Sequence, residues 1–225
     1  MILLIDADDT LWENNVYFER VIDQFIAHLD HPHLTHVEVR EVINEIERDR
    51  AREHGYGTAS FTRNLHTAFE RLAPERSSEM DFAWINGLGR SITEHDIEVI
   101  EGVPETLEYL QDRHRLVMFT KGNQEEQMRK KERSGLGAFF HDVRVVKEKD
   151  AATYEAMATE LASPKRDIWM IGNSPRSDIN PALTAGLNAV WIPHDATWVL
   201  EHEEVSHAEG RLKTLSRFTE LRDHF

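Results

Sequence analysis

The chain has 225 residues, 40% of them hydrophobic and 30% charged, with a formal net charge of −15 at pH 7. This composition is typical of a globular protein with a full core, and the negative charge argues against binding to nucleic acid. Cysteine is absent from the sequence, which excludes disulfides, a thiol nucleophile and zinc–thiolate sites. We also expect no membrane span, no secretory leader and a cytoplasmic location, because every apolar run is short and no basic region precedes the first one.

The first predicted element is a strand that runs into carboxylates. The apolar residues 2–5 are followed by Asp6, Asp8 and Asp9. A continuous apolar run is typical of a strand buried on both faces of a parallel sheet, and ligands of such sheets gather at the carboxyl ends of the strands. Neighbouring carboxylates repel one another unless a cation lies between them, and oxygen ligands favour a divalent metal. We therefore expect a metal site at this strand end.

The next part of the chain, residues 13–97, has helical periodicity and no strand pattern. Helices are predicted over 13–29, 36–52, 60–72 and 79–92. The four histidines between residues 28 and 36 straddle a proline turn, which favours a surface turn over a metal site. We expect residues 13–97 to form a helical cap domain, inserted into an α/β core domain of residues 1–12 and 98–225.

From residue 98 onward, strand and helix patterns alternate. Further strands are predicted over 115–120, 143–146, 168–171 and 189–192, with helices between them. This alternation predicts right-handed βαβ connections, and hence an α/β fold with a five-stranded parallel, Rossmann-like sheet flanked by helices. The acidic tail from residue 200 is poorly patterned except for a short helix over 218–221.

Polar residues follow four of these strands. They are Asp6-Ala7-Asp8-Asp9-Thr10, Thr120-Lys121-Gly122-Asn123, Lys147-Glu148-Lys149-Asp150 and the segment from Gly172 to Asp178. Because parallel strands bring their carboxyl ends to one edge of the sheet, these groups are expected to converge. A single such strand end would be weak support for a site, whereas four in this order are specific.

This order of motifs resembles the haloacid dehalogenase (HAD) superfamily, specifically its phosphatases with a helical (C1-type) cap. The D-x-D-x-T motif is matched by Asp6, Asp8 and Thr10, and the second motif by Thr120. The motif lysine is matched best by Lys149, with Lys147 as second choice. The fourth motif, G-D-x-x-x-x-D, is matched from Gly172 to Asp178, except that position 173 is Asn.

The resemblance implies a role for each matched residue. Asp6 would be the nucleophile and Asp8 the general acid and base, while Lys149 would neutralise charge on the transferring group. Mg²⁺ would be held by Asp6, the backbone carbonyl of Asp8, Asp178 and Asn173. The phosphoryl group would be bound by Thr120, Lys121, Gly122 and Asn123, and the rest of the substrate by Tyr56 and Arg63 in the cap. Asp9 and Thr10 are expected to stabilise the turn, and Arg176 could pair with Asp9 or Asp178.

The function expected from the sequence is a magnesium-dependent phosphatase that acts on a small phosphorylated metabolite. A phosphomutase with the same nucleophile and a non-catalytic phospho-ligand binder, suggested by Asn173, stay open as alternatives. A 2-haloacid dehalogenase is less favoured, because a halide leaving group needs no acid in the position of Asp8. We expect no nucleic-acid or membrane partner, and either a monomer or a homodimer.

Overall fold

Our computed structural model describes residues 1–76 and 78–225, and the side chains of all of these except residues 52–54. Within these ranges the chain forms α-helices and β-strands in alternation after an all-helical stretch. The helices are α1 (Asn15–Leu29), α2 (His36–His54), α3 (Thr58–Leu72), α4 (Glu79–Glu94), α5 (Val103–Gln111), α6 (Gln124–Ser134), α7 (Ala151–Leu161) and α8 (Asn180–Thr184). The strands are β1 (Ile2–Ile5), β2 (Arg115–Lys121), β3 (Asp142–Val146), β4 (Ile168–Gly172), β5 (Asn188–Trp191) and β6 (Leu212–Thr214).

The strands form a single parallel sheet in the order β3-β2-β1-β4-β5-β6. Strand β1 lies in the middle, with Ile5 opposite Met118 of β2 on one side and Ile171 of β4 on the other. The predicted α/β fold with a parallel sheet is confirmed, but the predicted number of strands is wrong, because β6 adds a sixth. Its sequence, Leu-Lys-Thr, is too short and too polar to show a strand pattern, so its pairing with β5 defines it.

Both faces of β1 are buried, as its continuous apolar sequence predicts. Leu3 and Ile5 pack on one face against residues of α5 such as Leu107, and Leu4 packs on the other with Tyr154 of α7. These side chains are fully buried. Since burial of an aliphatic side chain contributes about 1.5–3 kcal/mol, this strand anchors the carboxylates that follow it.

The chain divides into two compact units, Met1–Asn15 with Ile97–Phe225, and Val16–Asp96. In the first unit, the chain leaves and returns through a paired segment. The N–H of Glu13 donates to the carbonyl of Glu98, and the N–H of Ile100 donates to that of Leu11. This pairing closes the α/β unit across the helical insertion.

The second unit contains helices α1 to α4 around its own apolar core. Phe25, Ile43, Leu65 and Ile85 are fully buried in it. The turn between α1 and α2 is closed by His31. Its Nδ1 accepts hydrogen bonds from the N–H groups of His33 and Leu34. This contact fits the expected histidine-rich turn.

One predicted helix of the α/β unit is partly replaced by another structure. Between β4 and β5 the sequence predicts one helix, but Pro175–Ile179 form a π-helical turn and α8 extends only over five residues. Proline cannot donate a backbone hydrogen bond, and Pro175 is the first residue of the π-helical turn while Pro181 is the second of α8.

Among the described residues, we find no helix long and apolar enough to span a bilayer.

Candidate active site

The centre of the candidate site is a buried group of one lysine and two aspartates. Nζ of Lys149 lies 2.5 Å from Oδ1 of Asp6, at the end of β1, and 2.7 Å from Oδ1 of Asp178. Lys149 precedes α7, and Asp178 lies in the π-helical turn after β4. The side chains of Lys149 and Asp178 are each 1% exposed. Three different strand ends therefore bring their charged groups to one point, as the sequence predicts.

Burial and the uneven number of charges perturb these groups. Burial raises the pKa of Asp6 to about 7, because Lys149 only partly compensates and Asp178 adds repulsion. The pKa of Asp178 is also raised by burial, against the attraction of Lys149. Burial alone would lower the pKa of Lys149, but the two carboxylates raise it. A single ammonium thus serves two carboxylates, and the site is short of positive charge.

The geometry distinguishes between the two candidate motif lysines. Lys149 is buried between the carboxylates, whereas Lys147, two residues earlier, is exposed. Asp150 explains part of this arrangement, because its side chain accepts a hydrogen bond from the N–H of Thr153 and caps α7. The helix start therefore holds the preceding lysine at the strand end.

Asn173 presents its amide oxygen to the same centre. The Thr10 hydroxyl lies 3.3 Å from Oδ1 of Asn173 and also 3.3 Å from Oδ2 of Asp6. Nδ2 of Asn173 donates to Oγ1 of Thr197 at 2.9 Å, and the Thr197 hydroxyl donates in turn to the carbonyl of His194. Because Thr197 uses its proton on that carbonyl, it accepts from Asn173, which fixes the amide oxygen toward Thr10.

Asp8 lies beside this centre with its own set of donors. Trp12 Nε1 donates to Oδ1, and Gln127 Nε2 donates to Oδ2, each at 2.8 Å. Nζ of Lys130 lies 3.0 Å from both oxygens. Burial would raise the pKa of Asp8, but these donors together hold it below its ordinary value.

The four residues predicted to bind the phosphoryl group lie at the end of β2 and just after it. Thr120 is 1% exposed on β2, two residues past the register position opposite Ile5. Nζ of Lys121 donates to Oε1 of Glu201 at 2.6 Å and to the Ser177 hydroxyl oxygen at 2.9 Å. Gly122 has a φ of +139°, and Asn123 accepts a hydrogen bond from the N–H of Glu126, which caps α6. Of the four predicted phosphate-binding residues, Lys121 and Asn123 thus already have protein partners.

Asp9 stabilises the turn after β1, as expected. Its φ of 60° lies in the left-handed region, and Oδ1 accepts hydrogen bonds from the N–H groups of Asn14 and Asn15. Burial raises its pKa to about 6, although these N–H groups oppose the shift. Asp9, Glu13 and His194 also each offer one ligand atom within 4.8 Å of the others. Nε2 of His194 already lies 3.2 Å from Glu13, so these side chains are partners of one another beside the turn.

Arg176, for which the sequence leaves pairing with Asp9 or Asp178 open, contacts the backbone. Its guanidinium donates to the carbonyl of Leu200 at 2.9 Å. The partner of this arginine belongs to the tail that showed no pattern in the sequence.

The oxygens of the centre fit a hard divalent cation. Asp6, Asp178 and Asn173 provide two carboxylates and an oriented amide oxygen, which is the donor set that Mg²⁺ prefers. The end of β4 is also closely packed against Asp178, since a Cβ on Gly172 would lie 2.2 Å from Oδ2 of Asp178. The shortage of positive charge around Asp6 and Asp178 is a second observation that suits a bound cation.

Several residues of the site were missed in the sequence. Gln127 and Lys130 on α6 contact Asp8, and Thr197 and Glu201, which follow β5, contact Asn173 and Lys121. The helical period gives one usable signal, because Gln127 and Lys130 are three residues apart and share a helix face. Thr197 and Glu201 carry no local signal, since their partners lie 24 and 80 positions away.

The two predicted residues of the helical insertion belong to the second unit. Tyr56 lies in the turn between α2 and α3 and is partly buried, and Arg63 on α3 donates to the Ser60 hydroxyl at 3.1 Å. These contacts lie within their own unit.

The arrangement of the α/β unit is suited to attack by a carboxylate. Asp6 is a buried carboxylate beside an ammonium, and Asp8 is a second carboxylate that can give or take a proton. An anionic group at this point would meet the ammonium of Lys149. This combination is chemically capable of covalent catalysis followed by hydrolysis.

Comparisons with known proteins find solved structures of similar fold. A solved haloacid dehalogenase-like family hydrolase from Xanthomonas campestris is 29% identical, with a TM-score of 0.88, and the alignment covers 100% of this chain and 89% of that one. The HAD hydrolase YfnB from Bacillus subtilis, bound to magnesium, is 20% identical with a TM-score of 0.67, covering 99% and 97%. A 2-haloacid dehalogenase from Pseudomonas syringae is 18% identical with a TM-score of 0.64, covering 99% and 96%. The comparison with curated proteins gives no match.

The family itself is identified by the sequence. The model of the family described as haloacid dehalogenase-like hydrolase matches residues 1–186. This range includes all four motif segments, from Asp6 to Asp178, and most of the chain. The resemblance seen in the sequence is therefore confirmed, and the chain belongs to the haloacid dehalogenase-like hydrolases.

Proposed function

We propose that this hydrolase is a magnesium-dependent phosphatase that cleaves a small phosphorylated metabolite through an aspartyl-phosphate on Asp6. The observation that carries the proposal is the pair of carboxylates at the end of β1. Asp6 is bonded to Lys149, and Asp8, two residues later, is held separately by Trp12, Gln127 and Lys130. Two carboxylates in different surroundings suit two different roles.

In the first step, an oxygen of Asp6 forms a bond to phosphorus while the bond to the ester oxygen breaks. Asp8 gives its proton to the departing oxygen, which leaves as an alcohol. In the second step, Asp8 takes a proton from a water molecule whose oxygen attacks phosphorus and releases Asp6. Lys149 faces the charge that builds on the phosphoryl group in both steps.

Asp6, Asp178, the Asn173 amide oxygen and the backbone carbonyl of Asp8 would hold Mg²⁺. When bound, Mg²⁺ supplies positive charge to the phosphoryl oxygens and aligns the nucleophile with phosphorus. The structure of YfnB, a hydrolase of similar fold, is described as bound to magnesium. Thr120 and the backbone N–H groups near Gly122 are our candidates to bind the remaining phosphoryl oxygens.

The alternatives differ in what Asp8 would do. A dehalogenase attacks carbon and expels a halide, which needs no proton, so the donors gathered on Asp8 would have no purpose there. A solved 2-haloacid dehalogenase shares the fold, but at 18% identity the likeness is one of fold alone. A phosphomutase would use the same two carboxylates on a sugar phosphate, and a non-catalytic binder would retain the ligand unchanged.

We also propose that the helical unit is the cap that recognises the part of the substrate beyond the phosphoryl group. Tyr56 lies in a turn bounded by Gly55 and Gly57, both with positive φ, and Arg63 lies on the first two turns of α3. An aromatic ring and a guanidinium suit an organic group with a polar or anionic end.

The decisive experiment is a screen of phosphorylated metabolites for phosphate release with and without Mg²⁺, alongside the Asp6→Asn variant. We expect Mg²⁺-dependent release that the variant loses, and an aluminofluoride adduct at Asp6 in the presence of Mg²⁺. Halide release from 2-haloacids without phosphate release would establish the dehalogenase instead. Transfer of phosphate between sugar positions would establish the mutase.

A further inference from the structure

Helix α6 contributes two side chains that contact the acid–base candidate Asp8. Nζ of Lys130 lies 3.0 Å from each Asp8 oxygen and 2.7 Å from Oδ1 of Asn14. An ammonium has three N–H donors, so these three contacts use all of them and fix its orientation. The side chain is 14% exposed, which is low for a lysine.

Gln127, one helical turn earlier, contacts the same carboxylate. Its Nε2 lies 2.8 Å from Oδ2 of Asp8, and its Oε1 is buried without a hydrogen-bond partner among the described residues. A buried acceptor without a donor is unfavourable. The opposite orientation of the amide would be worse, because it would point Oε1 at the Asp8 carboxylate instead of Nε2.

Together with Trp12, these residues direct four donor contacts to Asp8, two at each oxygen. These contacts come from three side chains, so the position and rotation of the carboxylate are constrained, and one contact must open when Asp8 carries the proton that it transfers. At the same time, the Asp8 side chain is 24% exposed, which leaves it accessible to a substrate. It is therefore held in place without being closed off.

We propose that Lys130, supported by Gln127, is a positioning residue that holds Asp8 for proton transfer to the leaving group. This inference rests on the proposed function. As Asp8 gives up its proton, negative charge grows on the carboxylate, and the fixed ammonium of Lys130 meets that charge where it develops. The benefit is greatest for an alkyl phosphate, whose departing oxygen needs a proton, and small for an aryl phosphate with a stable leaving anion.

The test compares the hydrolysis of 4-nitrophenyl, phenyl and ethyl phosphate by wild type and by Lys130→Met, Lys130→Arg and Arg129→Met. Because general acid catalysis contributes about 10²–10⁴-fold, we expect Lys130→Met to lower kcat for ethyl phosphate by about 100-fold or more, and for 4-nitrophenyl phosphate by less than about 10-fold. KM should change little, and Lys130→Arg should restore much of the loss. Arg129 is exposed on the same helix, so Arg129→Met is the matched control for lost charge.

Each outcome has a clear meaning. Equal loss by Lys130→Met on all three esters, in a protein whose wild type is active, overturns this inference alone. If wild type releases phosphate neither from these three esters nor from any compound in the metabolite screen, the proposed function fails and the inference fails with it. If Lys130→Met does not fold, Gln127→Met removes one donor from Asp8 and must show the same dependence on the leaving group.

Discussion

Lys149 and Asp6 are separated by 143 residues in the sequence, yet Nζ of Lys149 lies 2.5 Å from Oδ1 of Asp6 in the interior of the α/β unit. The same ammonium lies 2.7 Å from Asp178. A buried lysine that is shared by two carboxylates links stability to catalysis, because its removal leaves two uncompensated anions.

The first prediction concerns this lysine. Lys149→Met should lower the free energy of unfolding by about 3–5 kcal/mol, because it leaves buried charge without a partner. The double variant Lys149→Met/Asp178→Asn removes one of the two anions and should regain part of that stability without regaining activity. Denaturant unfolding and phosphate release measure the two effects. Lys147→Met, at an exposed position, is the control and should match wild type in both. A stable, active Lys149→Met would contradict the assignment.

The second prediction concerns pH. Burial raises the pKa of Asp6 from 3.8 to about 7 in the metal-free protein. Between these values the unfolded chain has released the proton while the folded protein keeps it, so stability should fall as the pH rises from about 4 to 7. Unfolding by denaturant in the presence of a chelator, at half-unit steps across this range, measures the slope.

Asp6→Asn provides the comparison for that slope, because it removes the titrating group and keeps a side chain of the same shape. Its stability should depend less steeply on pH than that of wild type over the same range. Above pH 7, added Mg²⁺ should stabilise wild type, since a ligand that binds only the folded state favours it. Parallel pH profiles of the two proteins would count against Asp6 as the titrating group.

The features of the site that the sequence predicts are encoded locally. The apolar run of β1, the carboxylates after it and the lysine before α7 each lie in a short segment, and a parallel sheet brings strand ends to one edge without further information. The sequence alone therefore predicts that Lys149 and Asp178 lie near the end of β1.

The residues that were missed lack such local signals. Thr197 and Glu201 act on Asn173 and Lys121 across the fold, and Leu212–Thr214 becomes a strand only by pairing with β5. Nothing in a polar tail indicates which distant donor it will meet. Lys130 illustrates the intermediate case, because α6 was predicted but the face of the helix turned toward Asp8 was not identified.

The third prediction concerns the helical unit and substrate choice. Tyr56→Ala and Arg63→Met should change the order of preference among phosphorylated metabolites, with little effect on 4-nitrophenyl phosphate, because a small ester needs few contacts beyond its phosphoryl group. The measurement is kcat/KM for each substrate. His66→Ala on the same helix as Arg63, where it contacts Asn86, serves as the control. An equal loss on every substrate would indicate damage to the fold and would contradict the proposed contacts.

The fourth prediction concerns the asparagine that replaces the expected carboxylate. Thr197 fixes the Asn173 amide with its oxygen toward Thr10, so Thr197→Val should leave the amide free to turn. Because partners of metal ligands commonly contribute about 10–100-fold to metal affinity, we expect the Kd for Mg²⁺ to rise by about 10-fold. Calorimetric titration measures this without relying on turnover. Thr159→Val, at an exposed position on α7, is the control.

Asn173→Asp tests the same site in the opposite direction. A carboxylate adds a negative charge beside Asp6 and Asp178, which should tighten Mg²⁺ binding and destabilise the metal-free protein, because Lys149 is already shared by two anions. Two results are expected together: a lower Kd for Mg²⁺ by calorimetry, and a lower midpoint of unfolding in the presence of a chelator. If Asn173→Asp changes neither, the amide lies outside the metal site, and Asp6 and Asp178 alone provide its side-chain ligands.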